Sequence, residues 1–281
     1  DTGGLDGVNL QNYQSGAYMH MGTTISGASH LVGVSMSLAD QKIMSAGGDP
    51  ISLRWFYGEF ENASGSEKAD VIIGNSLDNS IFGDSGNDRL TGGAGNDSLD
   101  GGSGQDVAIY SSAMSQFKIQ HHSSSGEWVI TDTLGYEGKD TLTNIERIQF
   151  SDANLAIDLD GNAGITAKIL GAVFGKNSVK NKSFVGIGLS YLDAGWTYDN
   201  LAVLALDASG AKTNDQIVNL LWSNVFGIAP TLAQKSPYIK ILNDGVTAAS
   251  LVHLAADTSL NEININLIGL AQNGIEYLPF N

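Results

Sequence analysis

Between Gly83 and Ile109 the chain reads GDSGNDRLT, GGAGNDSLD, GGSGQDVAI, three blocks of nine residues that each open on Gly and carry Asp in sixth place. Aligned on the leading glycine, five units start at Gly65, Gly74, Gly83, Gly92 and Gly101. Their sixth place holds Asp70, Asn79, Asp88, Asp97 and Asp106; their eighth holds Ile72, Ile81, Leu90, Leu99 and Ala108. Carboxylates at a fixed short period suit one kind of chemistry, the shared coordination of a cation. The period implies a solenoid, in which each unit buries its apolar residue only by stacking on neighbours. When each nonapeptide forms a six-residue turn and a short strand, alternate turns stack on the same side. One stack then holds the turns starting at 65, 83 and 101, and the other those at 74 and 92. Stacked strands lie roughly 4.8 Å apart, which brings Asp88 near Asp106 and Asp97 near Asn79. Facing carboxylates repel each other unless a cation lies between them. Calcium accepts such oxygens, together with turn carbonyls, at roughly 2.3–2.6 Å. Glycine lets those carbonyls turn inward, in backbone conformations that a Cβ obstructs.

The candidate metal-site residues are Asp70, Asn79, Gly83, Asp84, Gly86, Asp88, Gly92, Gly93, Gly95, Asp97, Gly101, Gly102, Gly104 and Asp106. Their pattern, G-G-x-G-x-D-x-U-x with U apolar, resembles the RTX (repeats-in-toxin) calcium-binding nonapeptide of type I secreted bacterial proteins. The match is strong for the units at 83, 92 and 101. Upstream it weakens, because Lys68 and Leu77 replace the second-turn glycine and Asn79 replaces Asp. The expected sites are a good one between turns 83 and 101, a second between 74 and 92, and a weaker one between 65 and 83. The resemblance implies calcium as cofactor, the type I secretion machinery as partner, and a secreted or cell-surface location.

The elements that must hold these turns read as follows. Residues 1–62 are rich in Gly, Ser and β-formers, with HLVGVSMSL and ISLRWFYGEF as strands. DTGGLDGVNL and ENASGSEKADVIIGNSLDN resemble the lead-in to the β-roll of serralysin-type secreted proteases. Residues 63–109 form the roll. Residues 110–160 read as β structure: QFKIQHH, GEWVITDT and IERIQF. The run from Asp140-Thr141-Leu142 through Asn144-Ile145-Glu146-Arg147 to Phe150 looks like the segment that follows RTX repeats and caps the roll, whose last strands otherwise expose unpaired edges. From about Ile165 the texture turns helical: ITAKILGAVFG, NKSFVGIGLSYLDAG, TYDNLAVLALDA, TNDQIVNLLWSNVFG and SLNEININLIGLAQNG. Thr213 to Gln216 reads as a capping box, and Pro230 and Pro237 are placed near helix starts. VNLLWSNVFGIAPTL and IGLAQNGIEYL resemble a helical domain of unknown function often appended to RTX regions. The fold expected is multidomain α+β: a calcium-binding parallel β-roll with flanking β structure, then an all-α domain over 161–281.

Other chemistry finds little support. The zinc motif H-E-x-x-H is missing; the histidines are His20, His30, His121, His122 and His253. Adjacent His121 and His122 on a strand point to opposite faces, and His253 sits among apolar helical residues. Gly33-Val34-Ser35-Met36-Ser37 lacks the last Gly of a nucleophile elbow. Asp158, Asp160 and Asn162 suggest a calcium loop, but an EF-hand needs Gly and Glu where Ala163 and Ile169 stand, so a turn with a helix cap is favoured. Trp55, Phe56, Tyr57 and Phe60 read as core packing, with a sugar platform or an assembly surface as alternatives.

Composition agrees with a cation binder. The 281 residues carry 30 acidic against 14 basic side chains, a net charge of -16, which argues against a nucleic-acid partner. There is no Cys, so no disulfide and no thiolate metal site. Apolar runs such as Ile265 to Leu270 are too short for a transmembrane segment. There is no starting Met and no signal-peptide pattern, so Asp1 is taken as a processing boundary with upstream sequence open. The expected function is a non-catalytic, calcium-binding extracellular structural or surface protein of a bacterium. It folds on calcium binding after secretion, with self-association into a lattice or filament as a further partner expectation. Two alternatives stay open: the carboxy-terminal secretion and folding module of a larger secreted enzyme such as a protease, and a carbohydrate-binding adhesin.

Overall fold

Alternation of a Gly-rich turn with a three-residue strand winds the repeats into two parallel sheets. In this computed structural model the described residues are 61–280, with the backbone of four short strands before them: β1 (Gly7–Asn9), β2 (Ala17–His20), β3 (Ile43–Met44) and β4 (Pro50–Trp55). The segment Gly33–Ser37, the aromatic side chains at 55–60, and His20 and His30 lie outside the described side chains. The repeats supply β5 (Asn62–Ser64), β6 (Val71–Ile73), β7 (Ser80–Phe82), β8 (Arg89–Thr91), β9 (Ser98–Asp100) and β10 (Val107–Ile109). Odd and even strands go to opposite sheets. β5, β7 and β9 pair in parallel, as do β6, β8 and β10.

One apolar residue per coil faces between the sheets. Ile72, Ile81, Leu90, Leu99 and Ala108 are all essentially inaccessible to solvent. They form a column one side chain wide, the expected core of a roll this narrow.

After β10 the chain leaves the roll. A 3-10 turn at Met114–Gln116 leads into the antiparallel hairpin β11 (Phe117–His122) and β12 (Glu127–Asp132). β13 (Lys139–Thr143) runs antiparallel to β12 on one edge and parallel to β9 on the other. β14 (Arg147–Gln149) then adds in parallel to β10. The segment expected as a cap therefore also extends both sheets of the roll. On the hairpin, His121 stacks on Trp128 at 4.5 Å between ring centres.

The chain divides between Ala153 and Asn154. The second unit starts earlier than the helical boundary read from the sequence, because β15 (Asn154–Ala156) pairs antiparallel with β16 (Ile275–Tyr277) and closes the helical unit on itself. Between these strands lie α1 (Asn162–Phe174), α2 (Lys182–Asp193), α3 (Tyr198–Ser209), α4 (Asn214–Phe226), α5 (Leu232–Asn243), α6 (Ala248–Ala256), α7 (Ser259–Asn264) and α8 (Leu267–Asn273). The capping box at Thr213 and Gln216 forms as read, and Thr197–Asn200 and Thr231–Gln234 form two more. Apolar residues of α1, α3, α4 and α6, among them Ile169, Val173, Leu201, Val218, Leu221 and Val252, make one broad core.

Three expectations for this unit need correction. SLNEININLIGLAQNG is two helices, broken where Asn266 takes a left-handed backbone at φ 57°. Pro237 lies inside α5 and not at its start. Helices α5 and α6 were not among the helices read from the sequence; α5 buries only Leu242, so it carries almost no apolar stripe to read. Asp158 accepts from the Asn162 N–H at 3.0 Å, which makes DLDGNAG a turn leading into α1, as favoured. His253 lies 3.1 Å from Asp199 and packs on Tyr198. Among the described residues no helix is long and apolar enough to cross a membrane.

Candidate metal centre: the stacked turns

The sixth-position side chains are the most buried polar groups of the roll. Asp70, Asn79, Asp88, Asp97 and Asp106 are each at most 3% exposed. Their burial follows from the fold: the sixth residue ends the turn just before the strand begins, and its side chain points back under the turn it closes. Burying a carboxylate demands compensation, and one oxygen each of Asp88, Asp97 and Asp106 finds it in the stack. The Asp70 N–H donates to Asp88 Oδ1 at 2.7 Å, and the Asp88 N–H to Asp106 Oδ1 at 2.8 Å. In the other stack the Asn79 N–H donates to Asp97 Oδ1 at 2.8 Å. Asp88 is thus linked to Asp106, and Asp97 to Asn79, in the pairs the period implies.

The second oxygen separates the five turns into two classes. Asp88 Oδ2, Asp97 Oδ2 and Asp106 Oδ2 are buried without a hydrogen-bond partner. Asp70 Oδ2 instead accepts from its own turn, from the Ser66 N–H at 2.6 Å and the Ser66 hydroxyl at 3.0 Å. Asn79 Oδ1 likewise accepts from the Asn75 N–H at 2.9 Å. The three turns with unmatched oxygens are those starting at 83, 92 and 101, which carry Gly at the fourth place where the other two carry Lys68 and Leu77.

Leading glycines leave the space these oxygens face. A Cβ on Gly83 would meet both Asp88 Oδ2 and the Gly101 carbonyl oxygen. A Cβ on Gly92 would meet Asp97 Oδ2. A Cβ on Gly74 would meet the Gly92 carbonyl oxygen and Asn79 Oδ1. A carboxylate oxygen and a carbonyl oxygen from the next turn therefore converge on one small volume, a donor set of the hard oxygen type that calcium takes. Among the described residues no three His, Asp or Glu side chains group together as a metal cage; in front of Gly83 the converging oxygens are those of the Asp88 carboxylate and the Gly101 carbonyl.

The other glycines shape the turns. Gly86, Gly95 and Gly104 have φ of 118°, 118° and 149°, in the region L side chains avoid. Gly93 and Gly102 take φ of 109° and 89°, and Asp84 stands at the equivalent place with φ 79°, a conformation Asp tolerates better than most residues. Its carbonyl accepts from the Ser103 N–H at 2.9 Å, tying the two turns together.

The electrostatics match an arrangement built for a cation. Burial pushes the Asp88 carboxyl up to about 7; the Asp70 N–H opposes this, and the charges of Asp106, Asp70 and Asp84 add to it. Asp97 and Asp106 are raised to about 6, again chiefly by burial. Without a counter-charge these groups keep their protons to a higher pH than ordinary carboxylates.

Two residues outside the repeats belong to the same system. Asp140 Oδ1 accepts from the Asp97 N–H at 2.9 Å, and Glu146 Oε2 from the Asp106 N–H at 2.7 Å. Burial raises the Asp140 carboxyl to about 7. Sequence reasoning placed both in the cap. A signal was present, since Gly135 to Thr143 reads GYEGKDTLT and keeps Gly, Gly, Asp and the apolar residue at first, fourth, sixth and eighth place.

Comparison with known proteins bears on the repeats. The family described as RTX calcium-binding nonapeptide repeat (4 copies) matches residues 73–108. No curated protein matches the chain. Among solved structures, the extracellular lipase LipA from Serratia marcescens aligns at a TM-score of 0.31 and 16% identity, over 36% of this chain and 17% of the lipase. The chain thus spans under a fifth of that enzyme's length. Residues 73–108 are RTX calcium-binding nonapeptide repeats, wound here as the turns and strands of a parallel β-roll.

Proposed function

We propose that this is a non-catalytic, calcium-dependent extracellular structural or surface protein, exported by a type I system and folded outside the cell. The observation that carries the reading is the set of three buried, unmatched oxygens on Asp88, Asp97 and Asp106. They suit calcium, which supplies the positive charge their burial lacks. In this role Asp88 and the Gly101 carbonyl hold the ion in one stack, and Asp97 presents its oxygen in the other. Each carboxylate uses its remaining oxygen to fix the backbone of the preceding turn. The groups at the site thus hold turns together. Extracellular calcium modules bind at roughly 10⁻⁴–10⁻³ M, so the roll stays open at cytosolic calcium and closes after export. Metal-binding free energy then becomes folding free energy.

Self-association forms part of the proposal. The helical unit exposes large apolar side chains, including Leu232 at 73%, Ile263 at 71% and Ile268 at 77%, which favours contact with further copies. Light-scattering mass of the purified chain, first chelated and then in millimolar calcium, tests this. Large regular assemblies in calcium are expected. A compact monomer in calcium would contradict assembly and favour a secretion and folding module.

A further inference from the structure

We propose that residues 138–149 are a displaced last coil of the roll, and that they close a calcium site the repeats alone leave open. It lies in front of Gly101, between Asp106 and the Asn144 carbonyl. This rests on the reading that calcium occupies the turns.

The repeat family match ends at residue 108, and the chain then makes the β11–β12 hairpin before returning. On its return the register of the stack resumes from the fourth place onward. At the fourth place Gly138 has φ 70°, and a Cβ there would run into the Gly95 carbonyl, as one on Gly104 would run into that of Gly86. At the fifth place the Lys139 N–H donates to Asn96 Oδ1 at 3.1 Å, as the Gln105 N–H does to Asn87 Oδ1 at 3.0 Å. At the sixth, Asp140 receives the Asp97 N–H. At the eighth, Leu142 is fully buried in register with Leu99.

The shortened turn that follows completes the other stack. Asn144 takes φ 49°, and its carbonyl oxygen and Asp106 Oδ2 both fall against the place of a Cβ on Gly101. The Gly101 carbonyl and Asp88 Oδ2 make the same pair in front of Gly83. The Asn144 side chain anchors this turn by donating to Asp100 Oδ1 at 2.8 Å, and Glu146 seats it on the Asp106 N–H. Asp106 is 0% exposed and keeps one unpartnered oxygen. Its neighbour on the outer side comes from the returning coil and not from a repeat. Calcium at this place ties the coil to the roll, so the end of the solenoid closes only when metal is present.

The test counts bound calcium per chain by equilibrium dialysis with radiocalcium. Asn144→Val forces a β-branched residue into a left-handed backbone it resists, withdrawing the carbonyl; Asn144→Gly keeps that backbone. Asp88→Asn alters the site the repeats complete by themselves. We expect Asn144→Val and Asp88→Asn each to bind one ion fewer than the unaltered chain, and Asn144→Gly to bind the full number. A folded Asn144→Val with an undiminished count, beside a loss in Asp88→Asn, overturns the proposal and leaves the calcium reading standing. No loss in Asp88→Asn overturns both. Where a variant does not fold, anomalous scattering from crystals of the unaltered chain grown in calcium decides. A peak in front of Gly101 beside the Asn144 carbonyl supports the proposal; an occupied Gly83 site beside an empty Gly101 site overturns it.

Discussion

The roll and the helical unit reach stability by opposite means. The helical unit buries a broad apolar cluster drawn from several helices, and its helix ends are closed by side chains of the chain itself. The roll buries one apolar side chain per coil and, beside that column, carboxylates with unmatched oxygens. Apolar burial contributes about 25 cal/mol per Å², so a column one residue wide contributes little per coil, while unpaired buried carboxylates oppose folding. The helical unit can fold from its own sequence; the roll is completed by an ion. One polypeptide thus holds a constitutive region and a conditional one.

The largest effect expected from breaking this contrast comes from removing the ion's partners. Asp88→Ala with Asp106→Ala should raise the calcium concentration for half-maximal β-structure about a hundredfold or more, since each lost charge-assisted interaction is worth about 1.5–3 kcal/mol. Asp78→Ala, whose carboxylate accepts only from exposed Asn96, should shift it little. Circular dichroism during calcium titration checks both, and equal shifts would contradict the site assignment.

A change in the other unit should do the reverse. Leu221→Ala in α4 removes a side chain that is 3% exposed, at a cost of about 2–5 kcal/mol. Thermal unfolding followed by helix signal should show that loss, with the calcium midpoint of the roll unmoved.

Acid sharpens the contrast through linkage. Asp88, at about 7, and Asp97 and Asp106, at about 6, lie above their unfolded values in the metal-free chain. The folded roll therefore binds more protons than the unfolded one between about pH 4 and pH 7. Its metal-free stability is greatest below that window and is lost as pH rises through it. Chelated protein should gain strand signal on moving from pH 7.5 to 5, while apparent calcium affinity falls because protons compete for the same oxygens. Strand signal that declines on acidification would contradict the raised values. The smallest effect expected is Thr213→Ala, which removes a cap on α4 worth about 1 kcal/mol and should lower only the helical transition.

How much of this was legible in the sequence also differs between the regions. The nonapeptide period exposed the stacking partners, because a solenoid turns spacing directly into contact. It could not show that Ser66 satisfies Asp70 from within its own turn, which depends on the conformation of a hydroxyl and an N–H. Nor did it reveal Asp140 and Glu146, since a hairpin separates them from Asp97 and Asp106 in sequence. In the helical unit the capping box at Thr213 was readable because it is local. The break at Asn266 was not, because the apolar residues run on through it and no Pro or Gly marks the place.

The central claim is that metal completes the roll and only the roll. Hydrogen exchange resolved by residue, on the full chain with and without calcium, addresses it most directly. Amides of the strands over 71–109 should lose protection together on chelation, while those of α1, α3, α4 and α6 keep theirs. Strand amides equally protected in chelator would contradict the account.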